Sequence, residues 1–118
     1  MRRVLCVCVG FLFAACGGGG STTGGTAGDY SCVFASGDCG DYLGVSFRDV
    51  NRKNVERSGC EGNGGTFNDG QMCTTVGRIG SCLMDAGLPN ERRNNYYAGT
   101  ASTLESQCAG RGGTWSSG

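Results

Sequence analysis

Cys60-Glu61-Gly62-Asn63-Gly64-Gly65-Thr66-Phe67 and Cys108-Ala109-Gly110-Arg111-Gly112-Gly113-Thr114-Trp115 carry a cysteine, three glycines, a threonine and a terminal aromatic at identical spacing. Self-similarity of this kind marks a repeated structural unit. The match extends upstream. Val55-Glu56 before Cys60 answers Leu104-Glu105 before Cys108 with one residue of slip, and Ser31-Cys32-Val33-Phe34 answers Ser81-Cys82-Leu83-Met84. Each half then reads as a short strand, a loop, an aromatic segment, a helix, a glycine turn and a short strand. The expected fold is a small disulfide-stapled α+β domain of two ββαβ-like repeats, with two helices packed on an antiparallel sheet.

Local chemistry supplies the helix boundaries. Ser46-Phe47-Arg48-Asp49 has the spacing of a capping box, and Phe47, Val50 and Val55 share one helical face. Thr100 or Ser102 caps the second helix, where Ala101, Leu104 and Cys108 recur at helical spacing. Gly62 and Gly110 suit left-handed C-caps. Thr66-Phe67-Asn68-Asp69-Gly70-Gln71-Met72 predicts a hairpin turning at Asp69-Gly70, and residues 76–84 predict a further strand weakened by Gly77 and Gly80.

The chain has 118 residues, with 24 glycines, nine cysteines, one proline and no histidine. That length holds one small domain. Ten basic and ten acidic residues cancel, which leaves no electrostatic footprint for nucleic acid. A domain near ninety residues buries only about 60–65% of its surface, so covalent staples are a sensible supplement. Cysteine at this density points to an oxidising compartment.

The N-terminus gives an address. Arg2 and Arg3 precede residues 4–15, which carry no charge. Twelve residues of helix rise about 18 Å against a hydrocarbon core of about 30 Å, so the run reads as a signal peptide rather than a membrane span. It ends in Leu12-Phe13-Ala14-Ala15-Cys16, which resembles the lipobox of bacterial lipoproteins. Phe13 stands where Leu, Val or Ile is usual in that family. The resemblance implies lipidation of Cys16, and Gly17 after it implies the outer membrane of a Gram-negative-type envelope. An ordinary signal peptidase site is the alternative. Residues 17–28 read GGGGSTTGGTAG, a composition that cannot bury enough apolar surface to fold. The domains are therefore a signal peptide over 1–15, a lipidated cysteine and tether over 16–28, and a cysteine-rich domain over 29–118.

Residues 32–115 resemble small cysteine-rich bacterial lipoproteins that carry repeated Cys-x-x-x-Gly-Gly-Thr-aromatic motifs. Cys39-Gly40-Asp41-Tyr42, Ile79-Gly80-Ser81-Cys82 and the pair Tyr96-Tyr97 fill further places of that pattern. The chain departs from it by a longer first helical region and a shortened stretch between Tyr97 and Cys108. The resemblance implies an architecture and no activity.

Cys6 and Cys8 fall in the leader and Cys16 at the lipid site, which leaves Cys32, Cys39, Cys60, Cys73, Cys82 and Cys108. Six cysteines allow fifteen connectivities. Equivalent halves using equivalent bridges suggest Cys32–Cys60 and Cys82–Cys108, with Cys39–Cys73 between halves. Zinc is disfavoured, because the six lack close Cys-x₂₋₄-Cys pairs and histidine.

Catalysis finds little material. A histidine-based triad is impossible, and Lys53, the only lysine, sits in a charged helix face with Arg52, Glu56 and Arg57. Asp38 and Asp41 flank Cys39-Gly40, where turn and capping roles account for them. The expectation is a monomeric, cofactor-free, non-catalytic structural or binding module anchored in the membrane, with a protein or glycan of the envelope as ligand. Arg92, Arg93, Tyr96 and Tyr97 form the candidate surface, in which strand alternation buries one tyrosine and exposes the other. The alternative is a small disulfide-rich inhibitor or effector, inserting residues 85–93 into a partner protein.

Overall fold

The computed structural model describes residues 30–118; the expected signal peptide, the lipid site expected at Cys16 and the expected tether lie outside the described residues. The described residues form six strands: β1 (Tyr30–Val33), β2 (Cys39–Tyr42), β3 (Thr66–Asp69), β4 (Gly80–Met84), β5 (Arg92–Tyr96) and β6 (Thr114–Ser117). Two α-helices, α1 (Val50–Gly62) and α2 (Ala101–Gly110), and a 3₁₀ turn over Val45–Arg48 complete the domain. All six strands pair antiparallel in one sheet of order β3-β1-β2-β5-β4-β6. The molecule is thus a small α+β domain.

The repeated motif fixes how each helix ends. Gly64 and Gly65 donate their N–H groups to the carbonyls of Glu61 and Cys60 at 3.1 and 2.9 Å, and Gly112 and Gly113 do the same to Ala109 and Cys108 at 2.9 Å each. This double bond closes a helix when the residue after the cap is left-handed. Gly64 (φ 80°) and Gly112 (φ 78°) take that conformation. Gly62 and Gly110, expected in that role, are instead the last residues of their helices. The following glycine is needed for space. A Cβ on Gly65 would stand 3.0 Å from Cys32 Sγ and 2.9 Å from the Cys60 carbonyl, and one on Gly113 would collide with Cys82 Sγ.

Three disulfides staple the fold: Cys32–Cys60, Cys39–Cys73 and Cys82–Cys108. The first and third tie the strands β1 and β4 to the last turns of α1 and α2. The pleat then sorts the side chains. Tyr30 stands opposite Tyr42, and Cys32 opposite Gly40 and Phe67, so these share the helix-bearing face. There Tyr30, Tyr42 and Phe47 are buried, with ring centroids 5.0 Å apart for Tyr30–Tyr42 and for Tyr42–Phe47. Such pairs are worth about 0.5–1.5 kcal/mol each beyond their burial.

The helix α1 meets this cluster through the buried Cys60 and through cations rather than through larger apolar side chains. The Arg52 guanidinium lies 4.7 Å from the Phe47 ring centroid and that of Arg57 4.5 Å from Phe67. Cation–π contact with desolvated rings accounts for a packing face without leucine. Val50 and Val55, expected to join Phe47 on a buried stripe, are exposed. The capping box is also displaced, because Ser46-Phe47-Arg48 is the 3₁₀ turn. Asp49 is the actual N-cap of α1, its side chain accepting from Arg52 N at 2.9 Å. Thr100 caps α2 by position, without a side-chain hydrogen bond.

Two strand expectations need correction. The strand β3 does not turn into a hairpin at Asp69-Gly70; it pairs with β1, and the chain beyond it is a loop through residue 79. Accordingly β4 starts at Gly80 and not at Val76. Pairing with β1 satisfies β3 on one side, so no second partner is needed to hold it.

Candidate functional site

The sheet face away from the helices is polar. Alternation places Ser31 opposite Asp41 and Asn68, and Ser81 opposite Asn95 and Ser116. Asp41 and Asn95 are 2% and 0% exposed. Buried polar groups are costly unless paired, and these two pair with each other. Asn95 Nδ2 donates to Asp41 Oδ2 at 2.9 Å and to the Cys39 carbonyl at 3.1 Å. The Arg93 guanidinium stands 3.6 Å from the same carboxylate.

This network holds the loop that follows β3. The Cys73 N–H donates to Asp41 Oδ1 at 2.7 Å, and Arg78 Nη1 donates to Asn95 Oδ1 at 2.9 Å. The Tyr97 hydroxyl donates to the Thr74 carbonyl at 2.6 Å. Burial, then the negative charge of Asp41, push the Tyr97 hydroxyl above its ordinary pKa and keep it protonated as a donor. The Cys39–Cys73 bridge adds a covalent clamp. Between loop and sheet lies a cavity of about 400 Å³. Ser31, Val33, Cys39 and Asn68 form its floor, and Gln71, Met72, Cys73 and Thr74 its roof. Gly37 and Tyr97 stand at its sides.

One group in this cavity is not accounted for by folding. Ser31 Oγ is buried without a hydrogen-bond partner among the described residues, on a residue 1% exposed. The other polar links described above join the central strands to each other or hold the loop.

The four residues expected to form one surface do not. Pleating along β5 places Arg92 and Tyr96 on the helix side, while Arg93 and Tyr97 stand on the cavity side. Nor is one tyrosine buried and the other exposed. Both are partly buried, with Tyr96 accepting from Arg111 Nη2 at 2.8 Å and its ring 6.1 Å from Trp115. Asp41 is no turn residue either; it lies in a central strand at the heart of the network. Asp38 is half-buried and accepts from the Ser36 hydroxyl. Lys53 Nζ is committed to both Asp69 oxygens at 2.9 Å.

Ser31, Asn68, Gln71 and Asn95 were not singled out from the sequence. A signal was present: small polar residues alternate with Tyr30, Cys32, Tyr42 and Tyr96, and such alternation ordinarily marks a solvent face. Among the described residues no helix is long and apolar enough to cross a membrane.

No family model, no curated protein and no solved structure matches this chain.

Proposed function

We propose that this chain is a lipid-anchored lipoprotein of a bacterial cell envelope whose domain is a non-catalytic binding module built from two ββαβ units. The observation that carries the anchoring is the cysteine accounting. All six cysteines of the described residues are bridged in three pairs, so none of them requires Cys16. Its place after Ala14-Ala15 and before residues 17–28 suits an acyl acceptor followed by a spacer. The lipoprotein resemblance of residues 32–115 agrees with this address.

The strand register supports the two units. Cys32 faces Gly40 and Phe67, and Cys82 faces Asn94 and Trp115. Matching these positions makes Gly40 equivalent to Asn94, and Gly40 and Asn94 face each other in β2–β5. A pseudo-twofold axis through that pair relates Asp41 to Asn95 and Tyr42 to Tyr96. The preformed cavity supports a binding role.

Metabolic labelling with a fatty-acid probe tests the anchor: the wild type takes up label and Cys16→Ser does not. Equal labelling of both would refute it.

A second reading, an inhibitor or effector acting on another protein, draws on the segment between β4 and β5. Leu88 is 55% exposed there, on a turn held by Asn90 Nδ2 donating to Asp85 and by Ser46 Oγ donating to the Pro89 carbonyl at 2.6 Å. Saturable inhibition of a hydrolase that is lost in Leu88→Asp would favour it.

A further inference from the structure

We infer that the cavity between the polar sheet face and the 70–79 loop binds a neutral saccharide. This rests on the reading of the domain as a binding module and names its ligand class.

The first argument is the orphan hydroxyl. Ser31 lines the cavity, and its buried Oγ has no partner within the described residues. A buried hydroxyl left unpaired disfavours folding, so its retention at a cavity wall is accounted for by a ligand that completes it. A hydroxyl can donate once and accept twice, which matches a ligand hydroxyl in either sense.

Its neighbours have the same character. Asn68 stands directly opposite Ser31 on β3, and Gln71 hangs in the roof. Each primary amide offers donors and an acceptor, and the Tyr97 oxygen, having donated to Thr74, still accepts. No charged side chain is among those lining the cavity. An anionic ligand would need a cation there and a cationic one a carboxylate. Asp41, the nearest candidate, has its carboxylate committed to Asn95, Cys73 and Arg93. Uncharged ligands rich in hydroxyls are what remains.

Shape agrees with this chemistry. Val33 and Met72, 37% and 39% exposed, add apolar surface suited to the C–H face of a sugar ring. The loop is already closed by a disulfide and three hydrogen bonds, so binding orders little chain. An extended peptide would instead add to an open strand edge through main-chain bonds. Here the floor is a sheet face centred on β1, whose main-chain groups are paired on both sides by β2 and β3.

The test is an amide-resolved NMR titration of the full chain with chitobiose and maltose, beside triglycine and glucuronate. Saturable shifts at Ser31, Asn68, Gln71 and Tyr97 are expected with the neutral sugars at millimolar concentration. Ser31→Ala should weaken that binding about fivefold without lowering the melting temperature, because it removes a hydroxyl that has no protein partner among the described residues. Ser81→Ala, at the corresponding register position on β4, should leave the affinity unchanged. Saturation of these positions by triglycine or glucuronate and not by the sugars would overturn the saccharide assignment while leaving a binding module. No saturable shift here with any of the four probes would overturn both the assignment and the use of this cavity for binding.

Discussion

Asn95 donates from Nδ2 to the buried carboxylate of Asp41 at 2.9 Å, linking the two central strands beneath the 70–79 loop. The same carboxylate takes the Cys73 N–H and faces the Arg93 guanidinium, so one side chain joins sheet and loop. Removing it strands several donors at once.

Asp41→Ala is therefore expected to cost about 3 kcal/mol, the scale for leaving buried donors of a charged hydrogen-bonded group unsatisfied. Asp41→Asn should lose less, because its amide oxygen still accepts one of these bonds. Urea unfolding measures both, and equal stability of Asp41→Ala and wild type would contradict the network.

The double substitution Cys39→Ser/Cys73→Ser opens a loop of sequence separation 34. The chain-entropy account gives a loss of about 3–4 kcal/mol. Amide exchange should rise first across residues 70–79, while α1 and α2, held by their own bridges, keep their protection. Uniform loss of protection would show that the bridge supports the whole sheet instead.

Glycines separate by what surrounds them. Gly113→Ala drives a methyl into Cys82 Sγ and to 2.9 Å from Cys108 Sγ, with an expected cost of about 1–3 kcal/mol. Gly59→Ala adds a methyl in open space within α1 and should stabilise by about 0.5–1 kcal/mol. Thermal melts of the two variants should move in opposite directions.

Tyr30 gives a pH signature. Burial, then the charge of Glu56, push its pKa up to about 12 from an ordinary value near 10. The unfolded chain ionises first, so the stability from this group is whole below about pH 10 and is lost as pH rises toward 12. The loss is on the order of 2 kcal/mol. Tyr30→Phe should remove most of it in unfolding curves followed by circular dichroism, which separates it from Tyr42, also shifted upward by burial.

The Cys-x-x-x-Gly-Gly-Thr-aromatic stretch could be read in sequence because its chemistry is local. A helix end, a left-handed glycine, a glycine crowded by sulfur and an edge strand all fall within eight residues. The bridge pairs suggested by equivalent halves are those present, since the repeat puts Cys60 and Cys108 at the same helical position. The cavity was not legible. Its floor depends on Ser31 and Asn68 meeting across strands more than thirty residues apart in the chain. The roof depends on Asp41 reaching the Cys73 N–H. Local patterns read Asp69-Gly70 as a hairpin turn, because nothing near it reveals that β1 already occupies the pairing edge of β3. The basic face of α1 misled in the same way. Its arginines read as solvated until the aromatic rings beneath them are located.

The position of Cys32 sets how this domain carries a mechanical load. Any pull transmitted through the chain ahead of Tyr30 enters at β1, which is flanked on both sides by partner strands. Only Tyr30 and Ser31 can peel from the sheet before tension reaches Cys32 and passes through sulfur to Cys60 at the end of α1. Beyond two residues, the resistance is that of a covalent bond rather than of a hydrogen-bonded ladder. A body fastened by its N-terminus to a moving surface would thus be strained at a disulfide and would keep its fold.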